Sequence, residues 1–307
     1  MSHSLNHVIS MKDFTREMID DVLELAERLE PFARGKPCRM LEDKLLALLF
    51  YEPSTRTRLS FDAAIKRLGG NSIDFGMVEA SSVSKGETLA DTIRVVNEYA
   101  DAIVLRHPKE GAARMASDYS SVPVINAGDG GGHHPTQTLL DLYTIKRESK
   151  LEEIDIALVG DLRYGRTVHS FAYALSLYGV NIYLVSPPQL QMPQHIKSDL
   201  VHRGITIRET NSIEDVLGKI DVLYMTRIQK ERFAEQGEYL AVAGSYRLGS
   251  EMLSNARENL IIMHPLPRVN EIDASVDATS HACYFKQSFY GVPTRMAVLV
   301  KLLEAKM

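Results

Sequence analysis

The sequence predicts an α/β protein of two doubly wound domains, each a parallel β-sheet flanked by helices. Short apolar runs of strand length alternate with amphipathic stretches of helical period, and this alternation starts afresh at "IDIALVGD". The chain has 307 residues, 45% of them hydrophobic, which is enough for two cores at roughly 100 to 200 residues per domain.

Taken in order, "TREMIDDVLELAERLEPF" is predicted as the opening helix, with Thr15 as its cap and Ile19, Val22, Leu23, Leu25, Ala26 and Leu29 as its apolar positions. "KLLALLF" is a strand, and "TRTRLSFDAAIKRLGG" a helix closed by Gly69 and Gly70. "ETLADTIRVVNEYA" places Leu89, Ile93, Val96 and Ala100 on one stripe and leads into the strand "AIVLR". "VPVINAG" is a further strand, followed by the helix "HPTQTLLDLYTIKRE" with Pro135 in its first turn.

The second half repeats this grammar: strand "IDIALVGD", helix "RTVHSFAYALSLYG", strand "NIYLVS", a helix around "QHIKSDLVHRG", and strands "DVLYMTR" and "NLIIMHPLPR". The expected organisation is residues 1–134, a connecting helix 135–150, residues 151–290, and a last helix 291–307 that returns to the first domain, where Met296, Leu299, Val300 and Leu303 keep helical spacing.

Charge narrows the function. With 35 Lys+Arg against 40 Asp+Glu the net charge is −5, and no basic run argues for nucleic acid, so a local arginine cluster points to a small anion. The start "MSHSLNHVISMKDF" lacks a charged region followed by an apolar stretch, and no run of about 18 apolar residues offers a membrane span. A cytoplasmic protein is expected. Cys38 and Cys283 stand far apart without metal-ligand spacing, so neither a disulfide nor a metal is expected.

Ligands of open parallel sheets bind beyond the carboxyl ends of the strands. Six of the expected strands carry polar or cationic groups there. "KLLALLF" runs into Ser54, Thr55, Arg56, Thr57 and Arg58; "AIVLR" ends on Arg106; "VPVINAG" leads to His133, His134, Thr136 and Gln137. In the second half "IALVGD" leads to Arg163 and Arg166, "VLYMTR" ends on Arg227 with Gln229 beyond, and "LIIMHPLPR" ends on His264 and Arg268. The "STRTR" run also opens a helix, so free backbone N–H groups and the positive end of its dipole join the side-chain donors, and phosphate is the best match.

Each feature has a plainer alternative. Ser54 and Thr55 could simply cap the helix while the arginines lie in solvent. Arg106 alone could be a surface charge, His134 a satisfied core histidine, and Lys85, in the small polar stretch "EASSVSKGETL", a solvated lysine. "VGDLRYGRT" has Gly160 and Gly165 but no GxGxxG, and Arg163 and Tyr164 fill the places where a pyrophosphate needs close backbone approach, which argues against NAD. Arg166 and Arg227 carry guanidinium forks suited to carboxylates.

"FYEPSTRTRLSF", "SKGETLADTI", "HPTQTLLDLYTI", "GDLRYGRTVHS", "MTRIQKER" and "HPLPRVNEI" closely resemble the aspartate carbamoyltransferase catalytic chains of the aspartate/ornithine carbamoyltransferase superfamily, over essentially the whole sequence. Ser-Thr-Arg-Thr-Arg and His-Pro-x-Gln are common to transcarbamylases. Lys85, "TRIQ" and Pro265 in "HPLP" favour the aspartate branch over a transcarbamylase for another amine.

The resemblance implies transfer of the carbamoyl group of carbamoyl phosphate to L-aspartate, giving N-carbamoyl-L-aspartate and phosphate in pyrimidine synthesis, without a metal or organic cofactor. By the same resemblance residues 1–134 take carbamoyl phosphate and 151–290 take aspartate. Ser54, Thr55, Arg56, Thr57 and Arg106 are implied to hold the phosphate, while His134 with Thr57 and Arg106 polarises the carbamoyl carbonyl. Gln137 and the carbonyls of Pro265 and Leu266 are implied to orient the carbamoyl amide; Lys85, Arg166, Arg227 and Gln229 to bind aspartate; and Glu52, with Arg166 and Arg232, to latch the closed form. A homotrimer is implied, with Ser81 and Lys85 donated by a neighbouring subunit. Ser84 replaces a basic residue common before this lysine, leaving the loop less positive. The sequence leaves a regulatory chain open, and a non-catalytic scaffold of the same fold would show damage among these residues, which is not seen.

Overall fold

The computed structural model describes residues 6–74, 86–228, 237, 242 and 244–304, the side chains of Arg166 and Glu304 excepted. The chain forms two compact units, Met1–Tyr143 with Phe289–Met307, and Thr144–Ser288.

The first unit opens on α1 (Arg16–Ala33), capped by Thr15, whose hydroxyl accepts from the Met18 amide at 3.3 Å. It continues through β1 (Leu45–Phe50), α2 (Thr55–Arg67), β2 (Asn71–Asp74), α3 (Leu89–Asn97), β3 (Ala102–His107), α4 (Ala112–Tyr119), β4 (Val124–Asp129) and α5 (Pro135–Glu148). The sheet is parallel with order β2-β1-β3-β4, and Phe50 is level with Arg106 across β1 and β3. β1 and β4 are almost wholly buried, which suits a parallel sheet covered on both faces. On one face Ala47, Leu49, Ile103, Leu105 and Val124 pack with Ile93 of α3 and Ala113 and Ala116 of α4.

The second unit holds β5 (Asp155–Val159), α6 (Arg166–Leu175), β6 (Asn181–Val185), α7 (Gln194–His202), β7 (Thr206–Thr210), α8 (Glu214–Leu217), β8 (Val222–Met225) and β9 (Ile261–Met263). Its parallel sheet has order β7-β6-β5-β8-β9. Val159, Val185, Leu223, Met225 and Ile262 pack there against Val216, Leu217 and Tyr284. The last helix, α9 (Tyr284–Glu304), passes from the second unit into the first and carries Pro293 in its interior.

The doubly wound α/β architecture expected from the sequence is present twice. Four elements were not foreseen, one of them the four-residue α8. β2 "NSID" and β7 "TIRET" are edge strands, largely exposed and polar, so they lack the apolar run that marks a central strand. α4 "AARMASDY" buries only alanines. The last helix begins at Tyr284 and not at residue 291, because Pro293, which reads as a helix start, is tolerated inside it.

Candidate active site

Both sheets reverse their winding at one place, between β1 and β3 in the first unit and between β5 and β8 in the second. Such switch points leave an open crevice at the carboxyl edge. Each crevice is bordered by the segments singled out from the sequence.

In the first unit β1 delivers the chain to Ser54, the N-cap of α2. Ser54 has φ −157° and ψ 89° and makes no side-chain capping bond, unlike Thr15 on α1 and Thr88 on α3, whose hydroxyls accept from Met18 and Asp91. The first intrahelical bond of α2 runs from the Arg58 amide to the Ser54 carbonyl at 3.1 Å, so the helix pattern gives the amides of Thr55, Arg56 and Thr57 no partner within it. Thr57 is buried, whereas Thr55 and Arg56 are exposed. Arg58 is a different case: it pairs with Asp74 of β2 at 2.6 Å and holds the edge strand to the helix.

Arg106, at the end of β3, is mostly buried. Its guanidinium forms an ion pair with Glu52 at 2.8 Å and donates to the Ala127 carbonyl at 3.1 Å. A buried cation at this edge is therefore balanced by a carboxylate and a carbonyl, in a geometry that an anion can also complete.

The loop from β4 to α5 is organised by Asp129. One carboxylate oxygen accepts from the His133 amide at 2.8 Å and from Asn126 Nδ2 at 3.1 Å, and the other accepts from the Gly111 amide at 2.9 Å. Gly130, at φ +49°, sits so close to the β3–α4 loop that a Cβ would lie 2.5 Å from the Pro108 carbonyl oxygen. This bracing delivers His134 to the start of α5, where its carbonyl accepts from the Gln137 and Thr138 amides and Pro135 fills the next position. His134 is 4% exposed, and Gln137 is half-buried with its Nε2 donating to Asp141 at 2.9 Å. Burial lowers the pKa of the neighbouring His133, with the Asp129 charge opposing it.

In the second unit the β5–α6 turn is fixed by backbone. Gly160, at φ +110°, lies against β8 so tightly that a Cβ would meet the Thr226 carbonyl oxygen at 2.3 Å, while buried Asp161 accepts from the Tyr164 amide at 2.9 Å. The glycine thus serves the close approach of the β5–α6 turn to the end of β8. Arg166 is the first residue of α6, and Arg227 follows β8, half-buried.

Beyond β9, His264 shapes the Pro265–Leu266 segment. Its Nδ1 accepts from the Leu266 amide at 2.8 Å, so the ring proton lies on Nε2, 2.8 Å from Glu271. Glu271 also accepts from the Val269 and Asn270 amides, both at 3.1 Å; burial would raise its carboxyl pKa, but His264, its own backbone amide and the Val269 amide leave it lowered. Leu266 is held at φ +55°, a region a leucine rarely adopts.

The structure thus gathers Ser54, Thr55, Arg56, Thr57, Arg106, His134 and Gln137 on one edge of the first sheet, and Arg166, Arg227, Pro265 and Leu266 on the corresponding edge of the second. Ser81, Lys85, Gln229 and Arg232 lie outside the described residues. Glu52 engages Arg106 within its own unit. The supporting carboxylates Asp129, Asp141 and Glu271 were not singled out from the sequence; only the glycines around Asp129 hinted at a constrained loop. Among the described residues no cluster of three or more His, Cys, Asp or Glu could hold a metal ion, and no helix is long and apolar enough to cross a membrane.

Comparison with known proteins gives a consistent picture. The family model described as "Aspartate/ornithine carbamoyltransferase, carbamoyl-P binding domain" matches residues 6–147, and that for the "Asp/Orn binding domain" matches 152–302. The aspartate carbamoyltransferase catalytic subunit of Methanothrix thermoacetophila is 64% identical, over 97% of this chain and 98% of its own. The solved catalytic subunit of M. jannaschii aspartate transcarbamoylase superposes with a TM-score of 0.92 at 56% identity, over 98% of this chain and 99% of that one. The Trypanosoma cruzi aspartate transcarbamoylase in complex with carbamoyl phosphate and aspartate gives a TM-score of 0.92 at 41% identity, over 97% of both chains.

Proposed function

We infer that this chain, which belongs to the aspartate/ornithine carbamoyltransferase family, transfers the carbamoyl group of carbamoyl phosphate to the amine of L-aspartate. The products are N-carbamoyl-L-aspartate and phosphate, and the reaction serves pyrimidine synthesis. The observation that carries this reading is the N-terminus of α2, where Ser54 occupies the cap position without using its hydroxyl to cap. A Ser54 hydroxyl that makes no cap bond supports a ligand-facing role over one that merely terminates the helix.

In this reading Ser54, Thr55, Arg56, Thr57 and Arg106 surround the phosphate, and the amides at the start of α2 add uncharged donors. Glu52 gives way to the phosphate at Arg106, exchanging one anion for another. His134, Thr57 and Arg106 face the carbamoyl oxygen and stabilise the charge that develops on it. Gln137 and the Pro265 and Leu266 carbonyls orient the carbamoyl amide, the latter held by the His264–Glu271 pair. Arg166, Arg227 and Gln229 bind the aspartate carboxylates, while Ser81 and Lys85 come from a neighbouring subunit of a homotrimer. A separate regulatory chain is compatible with the designation of the relatives as catalytic subunits. In this reading the protein works in the cytoplasm.

The aspartate nitrogen attacks the carbamoyl carbon, the bond from that carbon to the phosphate oxygen breaks, and the amine proton leaves with the phosphate. No protein nucleophile takes part. Positioning alone can contribute about 7 to 11 kcal/mol to such a reaction. The test is formation of carbamoyl aspartate from the two substrates; turnover of ornithine in place of aspartate would overturn the assignment.

A further inference from the structure

We propose that Asp141 is a positioning residue that fixes which end of the Gln137 carboxamide faces the substrate, and thereby makes the site select a carbamoyl NH2 over a methyl group. The inference deepens the reading above and rests on it.

A carboxamide has a donor end and an acceptor end, and with its ring of neighbours unspecified it can present either. Gln137 has no such freedom. Its Nε2 donates at 2.9 Å to Asp141, one helical turn further along α5, and Asp141 is fully buried. A carboxylate accepts and does not donate, so the nitrogen must face it and Oε1 must face away. The free end is then an acceptor, which complements the NH2 of a carbamoyl group and offers nothing to the CH3 of an acetyl group.

The charge on Asp141 has its own counterweight. Arg295 of α9 is 3% exposed, and its Nε has no hydrogen-bond partner. Its one hydrogen bond is from a terminal nitrogen to the Gly291 carbonyl at 3.2 Å, and its guanidinium lies over the Phe61 ring at 5.0 Å. Gly291 leaves it room, since a Cβ there would come within 2.4 Å of the guanidinium. Burial pushes Arg295 down to about 10, and Asp141 is the charge that pulls the other way. An arginine buried with so few hydrogen bonds is costly unless a carboxylate compensates it. Because Phe61 belongs to α2, the same buried group joins the phosphate-facing helix to the helix that carries Gln137.

The experiment compares the full-length wild type with Asp141→Asn. Three quantities are read: KM for carbamoyl phosphate in carbamoyl aspartate formation, and competitive inhibition constants for acetyl phosphate and inorganic phosphate. An asparagine can donate to Oε1, which releases Gln137 to turn over. Loss of one oriented hydrogen bond predicts about 10-fold weaker carbamoyl phosphate binding, with less than about 2-fold change for acetyl phosphate and phosphate. The double variant Gln137→Glu with Asp141→Asn keeps one carboxylate and one carboxamide in the same volume but exchanges their places, so an acceptor again faces the substrate. It is expected to recover the preference for carbamoyl over acetyl phosphate. All three ligands weakening by a common factor, or none weakening, would overturn the proposal. If the single variant does not fold, the double variant decides: a retained preference supports the proposal and equal binding of the two acyl phosphates overturns it. A wild type that makes no carbamoyl aspartate would instead remove the underlying reading.

Discussion

The N-termini of α1 and α2 begin alike in sequence and end differently in chemistry. Thr15 turns its hydroxyl onto the Met18 amide and closes α1, whereas Ser54 stands at the same position of α2 and makes no side-chain capping bond. Both helices follow good cap residues, so residue type does not decide the outcome. What differs is setting: α1 starts on an exposed surface turn, and α2 starts where a buried strand meets the switch point of its sheet. A hydroxyl closing a helix is a stability device, and one withheld from closing it is available to a ligand.

That contrast can be broken at several strengths. Arg106→Ala removes the buried cation beside the open terminus and strands Glu52, and is expected to lower kcat/KM by about 1,000-fold or more. Arg56→Ala should likewise abolish measurable turnover, and steady-state assays check both. His134→Ala should lower kcat by about 100-fold or more while leaving the binding of phosphate ligands nearly unchanged, since an oxyanion partner acts in the transition state. A comparable loss in ligand affinity would assign His134 to ground-state binding.

The two caps themselves give the sharper pair. Ser54→Ala should weaken carbamoyl phosphate about 10-fold and leave thermal unfolding almost unmoved, because no capping bond is lost. Thr15→Ala should do the reverse, destabilising the fold by about 1 kcal/mol with carbamoyl phosphate affinity intact.

The smallest effect is a pH dependence remote from both termini. Asp273 is held down to about 2 by the Ser275 amide and by Arg247. A carboxyl depressed in the folded state stabilises above its ordinary value near 4 and loses that contribution as pH falls through about 2. Acid unfolding followed by circular dichroism should therefore flatten between about pH 4 and 2 in Asp273→Asn.

Legibility in the sequence followed burial. β1, β3, β5 and β8 announce themselves because strands covered on both faces are written as apolar runs, and the expectation of a ligand at their carboxyl ends follows from topology alone. β2 and β7 were hidden because an edge strand carries charge and polarity as protection. The cations and hydroxyls of the candidate site were readable, since they fall directly after strands. Their supports were not. Asp129 braces Gly111, eighteen positions earlier, and Arg295 meets Phe61 across most of the chain, and no local pattern encodes either contact. Nor could the sequence distinguish a serine that caps from one that does not.

The most direct measurement is a crystal structure with a phosphonate analogue of carbamoyl phosphate bound. The account predicts phosphonate oxygens about 2.7 to 3.2 Å from Ser54 Oγ and from the amides of Thr55 to Thr57, with Arg106 turned from Glu52 to the ligand. A phosphonate bound elsewhere, with the Ser54 hydroxyl folded back onto the amides of its own helix, would contradict it.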